Sequence, residues 1–177
     1  MTKEKKTSGK VSKTKLVSDK SIKMLQSRIQ QEELSSRIYL SMSMWLENNG
    51  FTNAAKLWKK YSNEENEHSN WSREYLLSFG ILPETPELEK VSIKYQGLPD
   101  IIVKTYNHEI CITKQIEVLA KHAMSINDHM LYTLASKFLK EQVDEHAKTQ
   151  NLVDQINTFG TDKQSLRLLD NYIKDLL

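Results

Sequence analysis

The sequence predicts an all-α fold: a four-helix bundle with one long crossover between the second and third helices and a short fifth helix at the C-terminal end. Three observations carry this. The 177 residues contain only 5 Gly and 3 Pro, too few breakers for a sandwich of short strands. Four stretches of roughly 25–30 residues keep a helical apolar period between clear stop signals. Each of the four also places a glutamate in the middle of its apolar face.

The first helix is expected from about Asp19 to Asn48, ending at Asn48-Asn49-Gly50, where Asn and Gly tolerate the left-handed conformation that closes helices. The second runs from about Thr52, as N-cap, to Phe79, before Gly80. Residues 80–97 hold two of the three prolines and no helical period, and read as a crossover along the bundle. The third helix starts near Pro99-Asp100 and ends near Ser125. Asn127 or Asp128 caps a fourth, to about Phe159 before Gly160. In the segment from Asp162 to Leu176, Leu166, Leu169 and Ile173 follow i, i+3, i+7, as a short fifth helix would.

Residues 1–18 form a separate segment, and residues 19–177 the helical domain. Residues 1–20 carry seven Lys against Glu4 and Asp19, so the net charge of +2 hides a basic tail on a slightly acidic body. The tail is too poor in apolar groups to offset its ordering entropy and is expected to be disordered. A solubilising role is the simpler reading, and a weak, salt-sensitive contact with nucleic acid or anionic surfaces the sharper one. It lacks the apolar middle of a secretory signal. No apolar run approaches the ~18 residues that span a bilayer. A single Cys excludes an intrachain disulfide framework and a CxxC zinc ribbon, and favours a reducing, cytoplasmic home.

At 100° per residue, Leu25, Ile29, Tyr39 and Leu46 fall within about 60° of Glu32 on the first helix. On the second, Ala54, Trp58, Tyr61, Leu76 and Phe79 fall within about 40° of Glu65. Ile102, Ile112, Ile116, Ala120 and Ala123 share a stripe with Glu109. Leu131, Leu134, Phe138, Leu152, Ile156 and Phe159 share one with Glu145. An unpaired carboxylate in a core costs several kcal/mol, so it neutralises or finds a cation. Four, each near the midpoint of its helix, meet at one level of an antiparallel bundle. Lys and Arg on these stripes read as too few to neutralise them, so metal cations are expected. Carboxylates with imidazole suit iron or manganese. His68 supplies the imidazole: Glu65-x-x-His68 directs both side chains to one ion, as in di-iron carboxylate bundles. The fourth helix offers Gln142-x-x-Glu145 instead of a second such pair, so the two metal positions are expected to differ. Glu64, Glu141 and Asp144 lie beside proposed ligands. Alone they read as a solvated face; with the centre they can hold a third ion. The remaining histidines, 108, 122, 129 and 146, read as surface or satisfied groups, with His108 a possible support for Glu109. Cys111 reads as a small buried hydrophobe. Trp45, Trp58 and Trp71 read as core or subunit contacts.

Four segments, Glu32-Glu33-Leu34-Ser35-Ser36-Arg37-Ile38-Tyr39-Leu40, Glu64-Glu65-Asn66-Glu67-His68, Tyr106-Asn107-His108-Glu109 and Glu141-Gln142-Val143-Asp144-Glu145, make the chain resemble the ferritins, in particular the haem-free bacterial type, over residues 22–176. The resemblance implies oxidation of Fe(II) by O₂ or H₂O₂ at an intra-subunit di-iron centre. It also implies ferric oxide-hydroxide deposition inside a homo-oligomeric cage of 24 subunits. It implies Glu32, Glu65 and His68 as ligands of the first iron, and Glu109 and Glu145 as ligands of the second, with Glu65 bridging. It places Gln142 as an amide beside the centre and Tyr39 as an electron donor. Glu64, Glu141, Asp144 and Glu145 match a third iron site. Bacterioferritins carry His where this chain has Glu145 and a haem-binding Met where it has Asn66, so haem is not expected. Lys137 stands where some bacterial ferritins have Trp. Other di-iron enzymes prefer a second Glu-x-x-His. Mini-ferritins place the metal between subunits and lack the fifth helix.

Overall fold

The computed structural model describes residues 16–177, in which five helices follow one another without a strand: α1 (Asp19–Asn48), α2 (Thr52–Ser78), α3 (Leu98–Ser125), α4 (His129–Phe159) and α5 (Lys163–Lys174). The expectation for the basic tail concerns residues 1–15 in the main and lies outside the described residues there. Val17 is already buried. Ser18 then caps α1, its side chain accepting from the Ser21 N–H at 3.0 Å. Among the described residues no helix is long and apolar enough to cross a membrane.

Local chemistry explains the other boundaries. Gly50 and Gly80 take φ of +82° and +68°, which Cβ-bearing residues resist. After α2 the Ile81 N–H returns to the Leu76 carbonyl at 3.0 Å, closing the helix end. Between α3 and α4 the left-handed position is taken by Asn127, and Asp128 is the cap, accepting from the Leu131 N–H at 2.9 Å. Asp162 caps α5.

The start of α2 departs from expectation. Thr52 is its first helical residue rather than its cap, and the preceding Phe51 has no capping side chain. Asp170 of α5 does the capping from across the chain, accepting from the Ala54 N–H at 2.8 Å and the Asn53 side-chain amide at 3.2 Å. The fifth helix is thus tied to the bundle by charge-assisted hydrogen bonds as well as by Leu169 and Ile173, both fully buried.

The segment between α2 and α3 runs along α1 as a crossover. Gln26 accepts from the Glu84 N–H, Gln30 donates to the Glu87 carbonyl, and Ser41 donates to the Ser92 carbonyl. Tyr95 then meets Trp45 edge-on. The segment advances in the same direction as α1, which leaves α3 antiparallel to it.

The apolar core is not continuous. One cluster, around Tyr39, Leu46, Trp58, Ile101, Ile102, Leu152, Leu169 and Ile173, fills the end of the bundle that carries α5. A second, around Leu25, Ile29, Leu76, Ala123 and Leu131, fills the other end. A small third cluster joins Ile112, Ile116 and Phe138. Each fully buried Leu or Ile contributes about 1.5–3 kcal/mol. These ends carry the stability and leave a layer between them free to hold polar groups. Trp58 is core as expected, donating to the Thr105 hydroxyl at 2.9 Å. Cys111 is exposed rather than buried, because α3 turns it outward.

Candidate metal centre

The layer between the apolar clusters contains the four expected glutamates. Glu32, Glu65, Glu109 and Glu145 are all buried, with no more than 6% of their surface exposed, and His68 and Gln142 are buried beside them. Helical periodicity brings them there: each lies on the same face as the apolar residues one or two turns away that form the clusters above and below.

Within this layer one group is tight. The ligand atoms of Glu32, Glu65 and His68 all lie within 4.8 Å of one another. His68 Nδ1 is 3.5 Å from Glu65 Oε2, the geometry that Glu-x-x-His was expected to produce. The Glu32 and Glu65 carboxyl groups thus face one another across the layer. Glu32 Oε2 has no N–H or O–H donor of an ordinary kind. A buried carboxylate oxygen facing a second carboxylate is satisfied by a shared proton or by a cation. The donor set of two carboxylates and one imidazole fits a divalent first-row metal ion.

Glu109 and Glu145 are held by partners of their own and are not part of the tight triad. Tyr39 donates its hydroxyl to Glu109 Oε1. Gln142 Nε2 donates to Glu109 Oε2 at 3.1 Å and to Thr113 Oγ1 at 3.0 Å. Thr113 in turn meets His146 Nε2 at 2.8 Å. This chain sets the orientation of the Gln142 amide, whose nitrogen faces Glu109. Glu145 pairs with Lys148, Oε1 to Nζ at 2.8 Å.

Glu65 is the electrostatic hub. Its charge interacts with Glu109, Glu145 and Arg28, and it faces Glu32. Burial pushes its carboxyl up to about 8. Burial also pushes Glu32 well above the ordinary carboxylate range, against the opposing charge of Arg28. Glu145 is raised by burial and by Glu109 and Glu141, against Lys148. The Tyr39 phenol is held well above its usual value by burial and by Glu109, so it stays protonated and donates. His108 is pushed down to about 4 by burial and by Arg28 and is therefore neutral. It bonds Ser35 at 2.7 Å and lies edge-on to Tyr39, rather than supporting Glu109 directly. His122 bonds Ser21, while His129 is exposed.

The outer acids are less gathered. Glu64 and Glu141 are half-buried and Asp144 is exposed. Glu64 is raised by burial, and its Oε2 is buried without a hydrogen-bond partner. The Trp71 ring lies 4.6 Å from that of His68, and Lys137 Nζ sits over the Trp71 ring, 3.7 Å from its centroid.

Two basic residues, fewer than the four glutamates, stand beside them. Arg28 is buried, with Nε 2.8 Å from Glu32 Oε1 and Nη1 donating to Gln115 at 3.2 Å. Lys148 pairs with Glu145. Their signal was present: Arg28 is four residues before Glu32 and Lys148 three after Glu145, spacings that put each on its glutamate's face.

The fold and this site define a four-helix protein with a buried carboxylate–histidine group of the kind that can hold a metal ion. The ferritin-like domain profile matches residues 22–159, and the chain belongs to that family. It is 30% identical to the bacterial non-heme ferritin of Campylobacter jejuni, over 91% of this chain and 96% of that one. With the bacterial non-heme ferritin of Escherichia coli O157:H7 the identity is 28%, covering 88% and 94%. The open pore ferritin of the hyperthermophilic archaeon Archaeoglobus fulgidus superposes with a TM-score of 0.85 at 25% identity, over 89% of this chain and 98% of that one.

Proposed function

We propose that this protein stores iron and oxidises it on entry. The observation that carries the reading is the convergence of Glu32, Glu65 and His68 in a buried layer, with a carboxylate oxygen that lacks a donor. Iron is here the substrate. Glu32, Glu65 and His68 hold a first Fe(II). Glu65, whose charge reaches both sides of the layer, bridges to a second, held with Glu109 and Glu145. Electrons pass from the ion pair to O₂ or H₂O₂, and hydrolysis of the Fe(III) formed releases protons. Tyr39, bonded to Glu109, is placed to lend an electron. Gln142 fixes Glu109 and presents an amide to the centre. Glu64, Glu141 and Asp144, with Glu145, offer an outer position through which iron passes.

The ferric product is deposited as oxide-hydroxide mineral inside a cage of this chain's copies, 24 by analogy with the family, in the cytoplasm. Large apolar side chains left exposed, such as Leu82 at 84% and Ile93 at 69% on the crossover, support contacts between copies. The names of the bacterial relatives support the storage reading.

Anaerobic Fe(II) titration of the full-length protein, followed by air and mass determination before and after loading, tests this. Two or three ions per chain, rapid oxidation and a large particle that fills with ferric mineral are expected. Two ions per chain on a small assembly without mineral would replace it with a di-iron redox enzyme.

A further inference from the structure

The two basic residues of the centre are not equivalent. Arg28 is buried and held between Glu32 and Gln115. Lys148 has a side chain 39% exposed, on a flexible stem, with one end already at solvent. Its ammonium lies 2.8 Å from Glu145 Oε1. The other acids whose charges act on it are Glu64 and Glu141. These three carboxylates are the ones that, with Asp144, would make up the outer metal position. A compact, strongly hydrated ammonium is a reasonable stand-in for a hydrated cation among oxygen donors.

We propose that Lys148 is a tethered cation occupying the outer acidic cluster, and that a divalent metal ion enters there only by displacing it. The inference rests on the metal-centre reading above and adds a property of this chain to it. The ammonium neutralises Glu145 while the outer position holds no metal. A metal ion arriving from solvent must break the Lys148–Glu145 pair, and the lysine then swings outward along its exposed side. Ions at the outer position are therefore held weakly and pass on, while the inner triad of Glu32, Glu65 and His68 faces no displaceable cation. The lysine thus orders the sites by affinity.

Zn(II) is a suitable probe because it is redox-inert and accepts the same donors. Calorimetric Zn(II) titration of the full-length assembled protein is expected to resolve inner ions from a weaker outer class. In Lys148→Met, which keeps the apolar stem, outer affinity should rise by about tenfold or more, the size expected when one competing charge leaves a half-buried site. Lys148→Arg should restore weak outer binding, and Glu64→Gln in the Lys148→Met background should cancel the gain. Identical titrations of the parent and Lys148→Met, with a tight inner class that His68→Ala removes, would overturn the proposal and leave the centre intact. Absence of any tight Zn(II) class in the parent would overturn the centre reading and this inference with it.

Discussion

The Arg28 guanidinium lies 2.8 Å from the Glu32 carboxylate one helical turn further along α1, and both side chains are buried. A fixed cation at this point makes the burial of Glu32 tolerable without metal. It also adds a positive charge against any metal ion that Glu32 binds. Arg28→Gln should therefore lower the stability of the metal-free protein, by about 1–3 kcal/mol, since Glu32 can relieve part of its loss by protonating. Zn(II) should then stabilise the variant by more than it stabilises the parent. Thermal unfolding with and without Zn(II) measures both effects. Equal increments in the two proteins would remove Arg28 as the counter-charge.

Glu65 makes the metal-free protein sensitive to pH in an unusual direction. Its folded-state value, about 8, lies above the ordinary 4.5, so the folded protein favours its protonated form. The stability this confers is complete below about pH 4.5 and is lost as the pH rises toward 8. Glu32, also raised, acts with the same sign. Denaturant unfolding of metal-free protein should thus show stability falling between pH 5 and 8, by an amount of order a few kcal/mol. Glu65→Gln should flatten the slope. Glu65→Ala should abolish rapid Fe(II) oxidation while leaving assembly intact, read by stopped-flow absorbance and by particle mass.

Removing the phenol of Tyr39 leaves Gln142 as the remaining side-chain donor to Glu109. Tyr39→Phe should cost about 1.5–3 kcal/mol, the worth of a buried hydrogen bond to a carboxylate. It should leave the number of bound Zn(II) ions unchanged and slow the oxidation that follows Fe(II) binding. A slower oxidation with unaltered binding separates electron supply from ligand placement. A lost ion would show instead that Tyr39 mainly holds Glu109 in position.

Asp170→Ala should uncouple α5 from α2. The Asn53 and Ala54 amides lose their acceptor, at a cost of about 1–2 kcal/mol. Amide hydrogen exchange at the start of α2 and along α5 should accelerate before any change elsewhere. Zn(II) binding at the centre should be unaffected, because the intervening apolar cluster keeps the layer in place.

Much of this protein is written in its local sequence. Helix ends follow from Asn127, Gly50, Gly80, Asp128 and Asp162, which act through their own backbones or those of near neighbours. The mid-helix glutamates are legible because 3.6 residues per turn puts them on the apolar faces whatever the packing. The same spacing carried an unused signal for Arg28 and Lys148, at i−4 and i+3 from two of those glutamates. Tertiary structure alone decided the rest. The Asp170 cap on α2 joins positions more than a hundred residues apart, and no local period encodes it. The division of the layer into a tight Glu32–Glu65–His68 group and separately held Glu109 and Glu145 depends on which donors reach each carboxylate across the bundle. Periodicity specifies the face a side chain occupies. The partner it meets, and the charge it therefore bears, is set by the height and rotation at which the helices pack.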